Sequence, residues 1–502
     1  MRIAGFLGIL LVLTQALYSL DIYVNDSVWK RYSGNELSSY LYTLPPIDNI
    51  SSQQSNGEGI SLDELFPPLI DAYRLDIIHN GEKETVLNPW LADELPHTFL
   101  HRGNTGTWNC VLPNKTVTEV EALRIYGEEV VSDRLEVWVC WEGIRELKEE
   151  IDRYENLHGI TVNVTEVPNI DSKLISISRG GGKLPDVVMV QSDYLPRLTA
   201  GDTLQPIDYI PKDHLLPKGV EAFLLSDREW ALPFYFDTQV VMINNTLVDA
   251  APPLQWTLEE LEQICRDLEQ RGISPITWNA YSAYWLIPFQ MAFGKENIIN
   301  DDGSISIDDT PTKKAIRYIL SLRDRGYLDI KERDGMTSLF ISGDIGMILT
   351  GSYSIPYFEE LGLDFTPFPY PVNSETGLPV SPLLDFKAFA VTRKTKRPIL
   401  AKRFLQYMGG IGVQQRFPAR VAKLPSNRAA FALAEETNPY FSTLKRSEEI
   451  GTVIPPDPAY KIYKNTMWKL LRFIFSGQMT VEQTLKQGQA IIDEKLLYKS
   501  DQ

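Results

Sequence analysis

The stretch from Leu135 to Gln191 constrains the fold more than any other part of this chain. It opens with LEVWVCW, Leu135 to Trp141, a strand with little polar interruption. Such strands are buried on both faces, as in parallel sheets. Ile144, Leu147, Ile151 and Tyr154 then recur at three- to four-residue spacing, an amphipathic helix that His158-Gly159 ends. Ile160 to Val167 reads as the next strand. Ser172 to Ser178 reads as a helix closed by Gly180-Gly181-Gly182, and Asp186 to Gln191 as a third strand. Strand, helix, strand, helix, strand in this order is half of a doubly wound α/β sheet.

Further elements follow the same logic. Thr257 with Glu260 forms a capping box before a helix whose inward face is Leu258, Leu261, Ile264, Cys265 and Leu268. Thr310-Pro311 starts another helix, with proline at its first turn. Phe386 to Val391 reads as strand and Pro398 to Met408 as helix, and Thr480 with Gln483 caps a last helix. Residues 21–130 differ. Short strands at Leu75 to His79, Thr85 to Leu87 and Val120 to Tyr126 alternate with turn clusters, and a helix is expected over Ser61 to Ala72, which makes a small α+β module. Charged residues from Gly127 to Asp133 mark its boundary.

Residues 1–20 have the layout of a secretory signal peptide: Arg2, an apolar run from Ile3 to Leu13, then small and polar residues. The apolar run is too short for a spanning helix. The chain is expected to be exported, to the periplasm or cell surface. With 49 Lys+Arg against 66 Asp+Glu, the net charge is −17. That excludes nucleic acid as a partner, since phosphate neutralisation needs a basic face. The three cysteines, Cys110, Cys140 and Cys265, match no zinc spacing, and His97 and His101 have no acid between them. No metal is expected.

In open α/β sheets ligands bind beyond the carboxyl ends of the strands. The first strand here ends in Trp141-Glu142 and the third in Gln191-Ser192-Asp193-Tyr194, each placing an aromatic beside a carboxylate. Asp237 follows Phe234-Tyr235-Phe236. Trp278, Tyr281, Tyr284 and Trp285 form an aromatic-dense stretch, and Tyr353 follows Gly351-Ser352. A sugar needs this pairing, because its apolar ring face packs on an aromatic while its hydroxyls donate to acceptors.

The stretches LEVWVCWEGIRELKEEIDRYENLHGITVNVTEV, LPDVVMVQSDYLPRLTAGDTLQPID, WALPFYFDTQVVMINNTLV, WTLEELEQICRDLEQRGISPITWNAYSAYW, LFISGDIGMILTGSYSIPYF and SGQMTVEQTLKQGQAI occur in that order between about Leu135 and Lys495. Together they resemble the extracellular solute-binding proteins of ABC importers, of the maltodextrin-binding (family 1) type. The resemblance implies a two-lobed type II periplasmic binding fold, maltose-binding-like, behind the N-terminal module. The first lobe would take 134–236 and 370–425, the second 237–369 and 426–498. The family's ligand-binding positions fall on Glu142, Asp193, Asp237, Tyr284 and Tyr353. Trp141, Gln191, Tyr194, Trp278 and Tyr281 join them from the pattern of strand ends and aromatics. Val190 and Tyr194 replace a Trp and a basic residue of the family, which widens the expected ligand from maltodextrin to a sugar or other small polar solute.

The resemblance also implies a monomer that closes on its solute and hands it to the transmembrane subunits of an ABC permease, with no catalytic residue. Within 21–130, SLDELFPPLIDAYRLDIIHNGE and Trp108 resemble segments of molybdopterin oxidoreductases. The cofactor-holding cysteine has no counterpart, so no cofactor is expected. Two alternatives stand beside import. Paired carboxylates among Glu142, Asp193 and Asp237 would suit a secreted glycoside hydrolase, and the same fold could serve a signalling receptor as a solute sensor.

Overall fold

The computed structural model describes residues 19–44, 55–66, 70–87, 95–103, 106–112, 115–129, 134–140, 143–207 and 212–500. The expected leader, up to residue 18, lies outside them, as do Trp141 and Glu142.

The two-lobed unit begins with β1 (Arg134–Val139), α1 (Ile144–His158), β2 (Thr161–Glu166), α2 (Ile170–Arg179) and β3 (Val187–Gln191). Strands β1 and β2 pair in parallel, and so do β1 and β3. Helix α1 buries Leu147, Ile151, Tyr154 and Leu157, the apolar stripe read from the sequence. Gly159 stops it in the left-handed conformation (φ 68°), which costs glycine nothing for want of a Cβ.

One strand, β4 (Leu232–Asn244), joins the lobes, and every residue in it is buried. Beyond it lie α3 (Leu258–Gln270), β5 (Ser274–Trp278), α4 (Ala283–Ala292), α5 (Thr310–Asp324), β6 (Leu328–Ile330), α6 (Arg333–Ile341), β7 (Ile345–Gly351) and β8 (Phe365–Phe368). The chain returns through β9 (Leu383–Thr392), α7 (Pro398–Gly409), α8 (Ile411–Arg420) and β10 (Leu424–Pro425), and closes with α9 (Pro458–Phe475) and α10 (Val481–Ser500). The main path of the sheet is β2-β1-β3-β9-β4-β7-β5-β6. The first part of β4, Leu232 to Thr238, pairs with β9, while Gln239 to Ile243 pair with β7. A fold of this kind puts its cleft where the one strand changes partner.

The helix starts follow local chemistry. Thr257 and Glu260 form a complete capping box on α3. The Asp309 carboxylate accepts from the Thr312 N–H at 2.8 Å to cap α5. Thr480 accepts from the Gln483 N–H ahead of α10.

Residues 20–129 form a separate sheet, nine strands among the described residues, with two short helices at Gly34–Ser38 and Leu62–Leu65. The helix expected over 61–72 is limited to Leu62–Leu65, and the chain is strand again from Ile70. The Pro67-Pro68 pair in the sequence cannot continue a helix, for want of N–H donors and of room for the rings. The first strand starts at Leu20, whose side chain is fully buried.

This module is joined to the first lobe through a polar interface. Arg153 of α1 reaches Glu64 of the module at 3.3 Å, and Arg416 on α8, held to Glu150 of α1 at 2.8 Å, lies 3.8 Å from the same Glu64. Arg153 also donates to the Tyr40 carbonyl, and Gln415 to that of Thr43. Ile411 of α8 packs into the module's own core, and the His97 and His214 rings stack across the join at 3.6 Å. Cys110 and Cys265 are buried and Cys140 half-buried, none of them in a disulfide among the described residues, and burial pushes the Cys110 thiol up to about 12. Among the described residues no helix is long and apolar enough to cross a membrane.

Candidate functional site

A cleft of about 350 Å³ opens between the lobes, within the about 300–1,000 Å³ usual for small-molecule sites. The first lobe contributes Gln191, Asp385 and Lys387. The crossing strand contributes Asp237. The second lobe contributes Asn279, Ser282, Tyr284, Trp285, Arg333, Met336 and Tyr353.

The floor is a row of cross-strand partners. Gln191, last in β3, lies opposite Lys387 of β9, and Asp385, two residues back on the same face, lies opposite Asp237 of β4. Two carboxylates directly opposed on neighbouring strands repel each other. The structure answers with two ammonium groups. Lys387 holds Asp385 at 2.6 Å, and Lys423, just before β10, donates to both Asp237 oxygens at 3.1 and 3.0 Å. Gln191 Nε2 donates to Asp385 Oδ1 at 2.7 Å, and Ser352 Oγ donates to Asp237 Oδ1 at 2.9 Å. The side chains of Lys423 and Asp237 are 2% and 7% exposed, so this pair is a buried brace between the crossing strand, the β10 segment and the second lobe.

The opposite wall is aromatic. Ser282 caps α4 by accepting from the Tyr284 N–H, which sets Tyr284 at the cleft. Burial pushes the Tyr284 phenol well above its ordinary range. The Trp285 ring meets that of Tyr284 edge-on at 5.0 Å. Tyr353 follows the end of β7, and the Arg333 guanidinium lies 4.9 Å from its ring centre. Gly351 leaves room for that ring, since a Cβ there would stand 2.1 Å from it.

Of the residues singled out in the sequence, Gln191, Asp237, Tyr284 and Tyr353 line this cleft. Asp193 is not among the lining residues; Lys464 of α9 donates to it at 3.2 Å, linking the two lobes. Burial raises the Asp193 carboxyl, with Lys464 opposing the shift. Tyr194 packs against a core that includes first-lobe residues, and Tyr281 lies edge-on to Phe475 with Arg472 over its face. Neither lines the cleft. Trp278 is a correction. It is fully buried in the second lobe's core, stacked on Phe289 at 5.8 Å, because it is still within the β5 strand and points into the layer beneath α4. Trp141 and Glu142 lie outside the described residues.

Asp385, Lys387, Arg333, Asn279, Ser282 and Met336 escaped the sequence reading. For Asp385 and Lys387 a signal existed: two opposite charges at period-2 spacing inside the otherwise apolar LLDFKAFAV. Arg333 carried no such mark. Among the described residues no group of three or more His, Cys, Asp or Glu could hold a metal ion.

Comparison with known proteins follows the same outline. The family model for bacterial extracellular solute-binding proteins matches residues 149–438. The maltodextrin-binding protein MdxE of Bacillus subtilis is 22% identical over 365 residues, 69% of this chain and 86% of that protein. A maltotriose-binding protein of Pyrococcus abyssi is 26% identical over 215 residues, 41% of this chain and 45% of that protein. Among solved structures, the maltose/maltodextrin-binding domain MalE of Bdellovibrio bacteriovorus bound to maltotriose superimposes with a TM-score of 0.61 at 22% identity, covering 72% of this chain and 99% of that one. The family match leaves the N-terminal module outside it.

Proposed function

Because this chain belongs to the bacterial extracellular solute-binding proteins, we propose that it captures a sugar or short oligosaccharide in the interlobe cleft and delivers it to the transmembrane subunits of an ABC permease, working as a monomer in the periplasm or at the cell surface. One observation carries this reading. Rings from one lobe (Tyr284, Trp285, Tyr353) face polar groups from the other lobe and the crossing strand (Gln191, Asp237, Asp385, Lys387) across a single cavity. The names of the relatives, which are maltodextrin- and maltotriose-binding proteins, agree with it.

The arrangement does three things for a sugar. The ring face lies on Tyr353 and Tyr284. Hydroxyls donate to the free lone pairs of Asp237 and Asp385 and accept from Lys387, Gln191 and Asn279, each charge-assisted bond contributing about 1.5–3 kcal/mol. Contact with both lobes favours the closed arrangement over the open one, so the solute shifts the population toward closure. The Lys464–Asp193 pair also links the two lobes.

The relatives named above are binding proteins rather than hydrolases, which favours capture over glycoside hydrolysis. The deciding experiment is calorimetric titration of the full chain with mono- to trisaccharides, with product analysis alongside. Saturable one-site binding with every sugar recovered intact is the expected result. Released reducing ends would overturn it.

A further inference from the structure

The charges around the cleft pair off one by one. Asp237 takes Lys423, Asp385 takes Lys387, Asp193 takes Lys464, and Glu332 beside the mouth takes Arg472 at 3.1 Å. Among the described residues one charge is left over. The Arg333 guanidinium lines the cleft with the Tyr353 ring as its neighbour, and no carboxylate of the described residues pairs with it. Its position makes this more pointed. Arg333 is the first residue of α6, the end of a helix where the backbone dipole disfavours a cation. An exposed cation placed against the local field, with a ring but no carboxylate of the described residues as its partner, is open to a ligand. Departures of this kind from local consistency concentrate at functional sites.

We propose that the solute carries an acidic group, a carboxylate or phosphate on the sugar, and that Arg333 reads it. The assignment rests on the carbohydrate reading of the cleft and narrows it. The guanidinium presents a planar fork of donors suited to a bidentate oxyanion. Its place over the Tyr353 ring fixes its orientation before the ligand arrives, which limits the entropy lost on binding. Tyr353 thus serves twice, as a face for the sugar ring and as the seat of the cation beside it. Arg333 is a specificity-determining residue in this view, and the row of Gln191, Lys387, Asp385 and Asp237 holds the hydroxyls common to acidic and neutral sugars.

The test is a thermal-shift screen of the full chain, followed by calorimetry, over matched sets: glucose, glucuronate and glucose 6-phosphate; galactose, galacturonate and galactose 6-phosphate; and maltose, maltotriose and digalacturonate. Within at least one set an acidic member should bind tenfold or more tighter than its neutral counterpart, and less tightly in 500 mM than in 50 mM salt. The carboxylate and phosphate arms then identify the group. Arg333→Gln, an exposed substitution that leaves the core untouched, should lower the affinity for that acidic sugar by about ten- to a hundredfold, at least fivefold more than it lowers that for the neutral counterpart. Arg333→Lys should fall between. Neutral sugars binding as tightly as acidic ones, or an Arg333→Gln variant that keeps its acidic ligand, would overturn the proposal while leaving a sugar-binding protein. If no sugar of either kind binds, the carbohydrate reading itself fails.

Discussion

Lys423→Met, just beneath the cleft, should be strongly destabilising although it creates no cavity. The methionine matches the lysine stem in length, so the loss is electrostatic. Lys423 and Asp237 are almost wholly buried, and the ammonium donates to both carboxylate oxygens. Removing it leaves a buried carboxylate with the Ser352 hydroxyl as its remaining side-chain donor among the described bonds. Breaking a buried pair from one side costs about 3–5 kcal/mol, because the other charge stays desolvated. The span expected for the two lobes, 134 to 498, is 365 residues. At ~2.1 cal/mol/K per residue, a cooperative unit of that size should lose about 4–6 °C in Tm. Circular dichroism or calorimetry on the purified chain measures this. The double variant Asp237→Asn, Lys423→Met should recover most of the loss, since a neutral amide beside a thioether leaves no orphaned charge. A single variant within 1 °C of the parent, or a double variant no better than the single, would refute the argument that this pair braces the crossing between lobes.

Three further outcomes follow from the geometry. Gly351→Ala should drive the Tyr353 ring from its seat, since the new Cβ would meet it at 2.1 Å. The affinity for the best sugar ligand should fall about three- to tenfold, the worth of one stacking contact, with Tm nearly unchanged. Asp193→Asn and Lys464→Met should each weaken that affinity about two- to fivefold, the modest value of a pair whose side chains are 21% and 42% exposed. A double-mutant cycle should show them coupled, and additive losses would remove the cross-lobe contact from the closure mechanism. His158 is 1% exposed beneath the N-terminal module, and burial holds its imidazole down to about 3. Its folded value is depressed, so its contribution is complete above pH 6.5 and is lost as pH falls toward 3, at up to ~1.4 kcal/mol per pH unit. Asp63, raised by burial to about 7, acts in the opposite sense, losing its contribution as pH rises from about 4. His158→Phe keeps the ring between Tyr154 and Tyr407 and should flatten the fall of Tm between pH 6.5 and 4; an unchanged slope would exclude His158 as its source.

The elements of the two lobes were legible because each is written locally. The stripe Leu147, Ile151, Tyr154 makes a helix wherever it is placed, and Thr257 with Glu260 caps one without outside help. The N-terminal module was less legible. Its strands alternate weakly, and its longest pairing joins Ile70 to His79 with residues 120–129, which no window of the sequence contains. Trp278 was named only for its place in an aromatic-dense stretch, and spacing in the sequence does not show which face such a ring takes at the end of a strand. The register of β5 against β7 and the packing under α4 turned it inward.

The chain's own order of residues determined that a doubly wound sheet would form, that it would be followed by a second helix-rich half, and that aromatics and acids would stand at the ends of its strands. Those properties depend on neighbours within about a dozen positions. For the long-range pairs of the cleft, the partner depended on the tertiary structure alone. Asp237 meets Lys423 across 186 residues and Asp385 meets Gln191 across 194. Among the described residues the same geometry leaves Arg333 without a carboxylate partner. A side chain's spacing sets the face it occupies, but only the pairing of distant strands sets what lies opposite, and in a cleft between two lobes everything that touches a ligand lies opposite something far away in the chain.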